Sequence, residues 1–133
     1  MNLAKNSSPT RSRDKILQTL YELEVGGQDL DTVLKNFSSE KSNPFYQKIL
    51  KGVVNKNKEI DKILEDNIER PLDQVDLIEK NILRIALYEL MDKQLDSLIV
   101  ISESIRMSKK YGSVEGYKLI NAVLDRISKE NQI

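Results

Sequence analysis

Nine consecutive residues, Ile82 to Leu90 (ILRIALYEL), limit the fold more than any other feature of the chain. With Leu77 and Ile78 upstream, the apolar side chains Ile82, Leu83, Ile85, Ala86, Leu87 and Leu90 cover most sides of a 3.6-period helix. A helix that is apolar nearly all round is stable in water only when other elements surround it. Asp76 precedes it as an N-cap, and Glu79 stands three residues later, the spacing of a capping box. Arg84 is the anomaly within this run. An unpaired guanidinium is costly to bury, so it pairs with a carboxylate, snorkels to the surface or lines a polar binding face, with pairing or snorkelling favoured.

The elements that enclose this helix follow from the same periodicity. Residues 1–10 are polar and aperiodic and read as a flexible basic arm, and the first helix begins near Thr10. Ile16, Leu17, Leu20 and Leu23 line one face of that helix, which Gly26-Gly27 ends. Asp29 caps a short helix carrying Leu30, Val33, Leu34 and Phe37, and Ser38 to Asn43 form a loop. Pro44 opens a third helix that runs to about Ile68, with a possible interruption at Gly52 or at Asn55 to Asn57. Arg70-Pro71 is the internal boundary, because proline drives its predecessor out of the helical region. Beyond the central helix, Leu98 to Met107 start a fifth helix, which Gly112 closes in the left-handed conformation. A last helix from about Val114 buries Tyr117, Ile120, Val123, Leu124 and Ile127 and frays after Lys129. The expected architecture is all-α: two packed three-helix bundles, six to seven helices in total. An N-terminal helical subdomain spans 11–70 and a C-terminal one 71–133, within one compact domain.

Composition agrees and removes whole classes of function. Leu, Ile, Val and Phe account for 41 of 133 residues, well above the ~20% below which disorder is the better reading. No cysteine and no histidine are present, which removes disulfides, thiolate metal sites, the cysteine nucleophile and the commonest general base. The 5 glycines form neither a dinucleotide fingerprint nor a phosphate loop. Carboxylate pairs such as Asp61 with Glu65 and Glu65 with Glu69 read as a solvated helix face. Neither catalysis, nor a cofactor, nor a metal is expected. No apolar run approaches the ~20 residues that span a bilayer, so a cytoplasmic, membrane-free protein is expected. The 21 basic and 21 acidic groups cancel, so any nucleic-acid contact must be local. The first 13 residues, with Lys5, Arg11 and Arg13 and no acid, are the local candidate.

Three segments then carry a specific resemblance. IEKNILRIALYEL (Ile78 to Leu90), ISESIRMSKKYG (Ile101 to Gly112) and YKLINAVLDRI (Tyr117 to Ile127) resemble, in order and spacing, the NusB family of bacterial transcription antitermination factors. RSRDKILQTLYELEV and KGVVNKNKEIDKIL resemble the family's N-terminal half more loosely, so the likeness runs from Arg11 to about Ile127. It implies two three-helix bundles without enzymatic activity. It also implies pairing with NusE, a small-subunit ribosomal protein, on the boxA element of ribosomal RNA transcripts, within the antitermination complex that helps RNA polymerase read through terminators.

Carried over by position, the resemblance assigns Arg11 and Arg13 to an arginine-rich RNA-binding start of the first helix. It places Glu115, Lys118 and Asn121 near an RNA-facing turn and last helix, and Tyr21, Glu79 and Arg84 on the NusE side. Tyr88 is core or interface. The chain departs from the family pattern at Leu119, where many relatives carry Phe, and at Gly116, Ala122, Ser102 and Ser104. Few basic residues precede the first helix, so NusE is expected to matter more than the chain's own RNA affinity. The family includes monomers and dimers, and a homodimer is one option here. Two other readings stay open: a helical scaffolding module without RNA, and an accessory RNA-gripping domain of the kind fused to RNA cytosine methyltransferases.

Overall fold

The computed structural model describes residues 8–130, which form seven α-helices, two 3-10 segments and, among the described residues, no strand. In chain order these are α1 (Pro9–Gly26), α2 (Leu30–Leu34), α3 (Pro44–Asn55), α4 (Asn57–Asn67), α5 (Leu77–Asp92), α6 (Ser97–Tyr111) and α7 (Gly116–Glu130). The 3-10 segments are Lys35–Glu40 and Leu72–Gln74. The first seven residues of the expected arm, Lys5 among them, and residues 131–133 of the fraying tail lie outside the described residues.

Helix starts are fixed by side chains that accept otherwise unpaired backbone N–H groups. Ser8 caps α1 through the N–H of Arg11 at 3.3 Å, with Pro9 in the first turn. Asp29 accepts from Thr32 at 2.8 Å, Asn43 from Tyr46 at 3.2 Å, Asp76 from Ile78 at 2.9 Å and Asp96 from Leu98 at 2.8 Å. Gly27, at φ 66°, supplies the left-handed residue that ends α1.

Three local expectations are corrected, and the interruption left open in the third helix is located. Residues 38–40 continue a 3-10 segment rather than beginning a loop, because Phe37 turns into the core through a kink at φ −123°, ψ 34°. The long third helix is two helices, broken at Lys56 (φ −103°, ψ 20°) within the expected Asn55 to Asn57 interval. Glu79 does not complete a capping box; its carboxyl turns away to Ser113, across the fold. Gly112 is extended (φ −93°, ψ −168°), not left-handed, and a side chain there would run into Glu79.

Helix α5 packs against α1, α3, α4, α6 and α7. Asn81, Ile82, Leu83, Ile85, Ala86, Leu87, Glu89 and Leu90 are all buried along it. It meets α3 closely at Gly52, where an added Cβ would enter the ring of Tyr88. Tyr88 is thus half-buried against a glycine rather than projecting freely.

A charged strut crosses this apolar centre. Arg13 of α1 is 2% exposed, and its Nε and Nη2 donate to the two carboxylate oxygens of Glu89 on α5, each at 2.7 Å. Its Nη1 donates to Glu103 of α6 at 3.1 Å, and the guanidinium lies 5.2 Å from the ring centroid of Phe45 on α3. Glu103 also accepts from Arg106 at 3.0 Å, and Arg106 reaches back to Asp14 of α1 at 2.9 Å. Burial alone would lower the Arg13 value, but the hydrogen bonds and charges of Glu89 and Glu103 outweigh it and hold the guanidinium charged. For Glu103, burial works to raise the carboxyl, yet Arg106, Thr10 and Arg13 together hold it below the ordinary carboxylate range.

Three outcomes follow for stability. Arg13→Ala leaves Glu89 charged and buried and should cost about 3–5 kcal/mol in urea unfolding, whereas R13M/E89L should cost clearly less; equal losses would contradict the strut. Gly52→Ala should lower the urea midpoint by the equivalent of about 1–3 kcal/mol, as overpacking against Tyr88. Glu103 contributes stability that is complete above the unfolded carboxylate value of 4.5 and is lost as pH falls through its lowered folded value. Acid unfolding followed by circular dichroism should therefore be less steep for E103Q than for the parent.

Candidate nucleic-acid interface

Residues two apart on an α-helix project about 200° apart, so the start of α1 cannot present both of its arginines on one face. Ser12, Arg13, Ile16, Leu17, Thr19 and Leu20 form its buried side. Arg11, Lys15 and Gln18, at four- and three-residue spacing, line its outer side along an open groove of about 800 Å³. The opposite wall is Arg106, Lys110 and Tyr111 at the end of α6, with Tyr21 and Ile78 also in the lining.

The groove is basic with one acid at its centre. Asp14 accepts from Arg106 at 2.9 Å, from the Tyr111 hydroxyl at 3.1 Å and from Lys110 at 3.4 Å. Among the described residues, neither the Arg11 nor the Lys15 side chain has an ion-pair partner, so both charges are available at the rim. Exposed cations beside tyrosine rings form a surface suited to phosphates and to flat polar groups.

The second stretch is the outer side of α7 with Glu115, which directly precedes it. Glu115, Lys118 and Asn121 recur every third residue, all are exposed, and Lys118 donates to Glu115 at 3.1 Å. Leu119 lies beside them in a groove of about 460 Å³ that Asn67, Ile68, Arg70, Ala122 and Arg126 complete. The structure therefore brings Arg11 and Tyr21 into one groove and Glu115, Lys118 and Asn121 onto one helix face. No residue lines both grooves.

Two expected contacts are corrected by burial, and for a third the favoured pairing alternative holds. Arg13 belongs to the interior strut, with its guanidinium consumed by Glu89 and Glu103, and offers nothing to a phosphate. Glu79 is 1% exposed and cannot form part of a partner-facing surface. Arg84 takes the pairing alternative: Nε and Nη2 donate to the two oxygens of Asp61 at 2.8 and 3.0 Å, and Nη1 donates to Glu24 at 2.8 Å. Lys80 closes this cluster on Glu24 at 2.7 Å. Burial alone would lower the Arg84 value, but Asp61 and Glu24 outweigh it and hold the charge. Tyr21, by contrast, is 39% exposed.

Sequence reasoning missed Lys15, Arg106, Lys110 and Tyr111 as groove residues. The helical offset of Lys15 from Arg11 was the one available signal; the α6 residues come within reach only through the packing of α6 on α5 and of Arg106 on Asp14. Among the described residues no group of histidine, cysteine, aspartate or glutamate is placed to hold a metal ion, and no helix is long and apolar enough to cross a membrane.

The NusB family model matches residues 10–129. The transcription antitermination protein NusB of Shewanella pealeana is 31% identical over 134 residues, covering 96% of this chain and 99% of that protein. Its counterpart from Xanthomonas campestris pv. campestris is 32% identical over 127 residues, covering 91% of this chain and 80% of that protein. Among solved structures, T. maritima NusB matches with a TM-score of 0.82 at 26% identity, over 92% of this chain and 91% of that one. A complex of the antitermination factors NusB and NusE with double-stranded RNA matches with a TM-score of 0.82 at 25% identity, over 94% of this chain and 98% of that chain. Sequence, helix order and three-dimensional superposition agree along nearly the whole length, and the chain belongs to the NusB family.

Proposed function

We propose that this chain is an RNA-binding transcription antitermination factor. It pairs with the ribosomal protein NusE on boxA-type RNA of ribosomal RNA transcripts and, as part of the antitermination complex in the cytoplasm, changes how RNA polymerase reads through terminators. The observation that carries this reading is the match, over 94% of this chain, to a solved assembly of NusB, NusE and RNA. A chain with no net charge has no long-range field to hold a polyanion, so affinity has to come from a few local cations and from a second RNA surface supplied by the partner.

In this reading Arg11 and Lys15 on α1, with Lys118 and Asn121 on α7, supply RNA contacts. Glu115 orients Lys118 through their hydrogen bond. Tyr21 and the apolar floor near Ile78 supply the NusE contact. The segments 11–70 and 71–133 are two helical subdomains of one compact domain, joined at Arg70-Pro71, where Ile68 and Pro71 are extended. The reading is of a binding adaptor: the chain has no histidine or cysteine, and among the described residues no group is placed to hold a metal ion.

The test is fluorescence anisotropy with a labelled boxA-type RNA and a scrambled control, with and without NusE, over a range of salt. Sequence-dependent binding that tightens with NusE supports the adaptor; equal affinity for both RNAs in both mixtures contradicts it. Arg11→Ala and Lys118→Ala should each weaken binding and reduce the salt slope by about 0.7 on a single strand. Arg13→Lys should instead leave the salt slope unchanged and lower stability, because it removes the fork that matches Glu89.

A further inference from the structure

Glu79 is a buried acid with no cation beside it. It lies in the first turn of α5, where its Oε1 accepts from the Ser113 hydroxyl at 2.8 Å and from the Ser113 N–H at 3.5 Å. Its Oε2 has no hydrogen-bond partner among the described residues. The connection between α6 and α7 is wrapped around this head group. A Cβ at Gly112 would collide with Oε2, and one at Gly116 with the carboxyl carbon and Oε1, so a side chain at either position would displace the Glu79 head group.

The charged groups on the surrounding segments are engaged elsewhere. On α6, Lys109 rests 4.8 Å from the centroid of the Tyr117 ring and Lys110 pairs with Asp14. At the start of α7, Lys118 pairs with Glu115, and on α5 itself Lys80 pairs with Glu24. The charge that acts on Glu79 is the like charge of Asp76 at the head of α5. Burial raises the Glu79 carboxyl above its ordinary value, against the lowering effect of the Ser113 hydrogen bonds, and Asp76 adds to the rise. The positive end of α5 acts in the opposite sense and favours the ionised form.

We propose that Glu79 is the positioning residue of the α6–α7 connection: its buried carboxyl clasps Gly112, Ser113 and Gly116 and so fixes where α7 presents Lys118 and Asn121 to RNA. The proposal rests on the reading of α7 as part of the RNA surface. Ionisation places an unpaired charge inside the clasp, and that charge is relieved by opening the connection. Because the folded carboxyl holds its proton to higher pH than the unfolded one, the clasp weakens as pH rises, with an opening equilibrium that climbs by up to about tenfold per pH unit beyond the titration.

Amide hydrogen exchange, corrected for intrinsic rates and followed from about pH 5.5 to about pH 8.5, reads the clasp directly at residues 113–118. RNA anisotropy with NusE over the same range reads its consequence. The parent protein should lose protection at this connection and lose RNA affinity as pH rises. Glu79→Gln, neutral at every pH and still able to accept from Ser113, should keep both. Glu79→Ala should open the connection at every pH while far-ultraviolet circular dichroism shows the helices retained. Protection in the parent that does not change with pH, or that changes in the same way in E79Q, overturns the clasp. A pH-dependent clasp without RNA binding by the parent refutes the role of α7 on RNA and leaves the exchange result to decide the clasp itself.

Discussion

The contact between Arg13 and Glu89 sets the rotation of α1, and the rest of the surface depends on that rotation. Two short bonds of 2.7 Å inside the protein fix the guanidinium in one orientation. Rotating α1 away from this seating would leave Glu89 in the interior without its partner. With Arg13 turned inward to α5 and α6, Arg11 and Lys15 must face out, and the groove they line with Tyr111 and Tyr21 follows from helical geometry. The strut adds little net energy over a well-packed apolar pair. Its effect is to exclude alternative packings, something an aliphatic core of Leu, Ile and Val does poorly on its own.

The same device recurs at the other helix contacts. Arg84 and Lys80 of α5 tie Glu24 of α1 and Asp61 of α4 to the outer side of the central helix. Thr19 and the buried Tyr46 share a hydrogen bond of 2.6 Å between α1 and α3, and Asn43 donates to Ser12 at 2.8 Å. The helix that is apolar nearly all round therefore carries at least one polar clamp toward each of α1, α3 and α4, the one to α3 being Lys48 on Asp92 at 3.0 Å. These clamps explain how a chain with 32% charged residues and no net charge can have so few of its interior-facing charges available to a ligand.

The sequence was most legible where structure is local. The apolar run Ile82 to Leu90, the caps at Asp29 and Asp76, and Gly27 as a left-handed stop are each set by neighbours within one or two turns. It was least legible where a side chain finds its partner far along the chain. Arg13 sits in a basic local context and reads as a surface residue, but its partner is 76 positions away. Glu79 has the spacing of a capping box, yet burial against Ser113, 34 positions on, decides its role. Gly112 reads as a helix stop because glycine usually is one there; in the fold, its missing side chain leaves the space that the Glu79 carboxyl occupies. Arg84 shows the same principle in reverse. Its position inside an apolar helix already demanded a partner, and only the identity of Asp61 and Glu24 had to come from the structure.

The central claim is that RNA meets this protein at the outer sides of α1 and α7 while the arginine strut beneath stays intact. Nuclear magnetic resonance of the isotopically labelled chain, titrated with boxA-type RNA in the presence of unlabelled NusE, tests it most directly. The account predicts shift changes concentrated at Arg11, Lys15, Lys118 and Asn121 on RNA addition, with the Arg13 side-chain signal unmoved. Shifts confined to α2 and α4, or a displaced Arg13 signal with Arg11 unchanged, would contradict it.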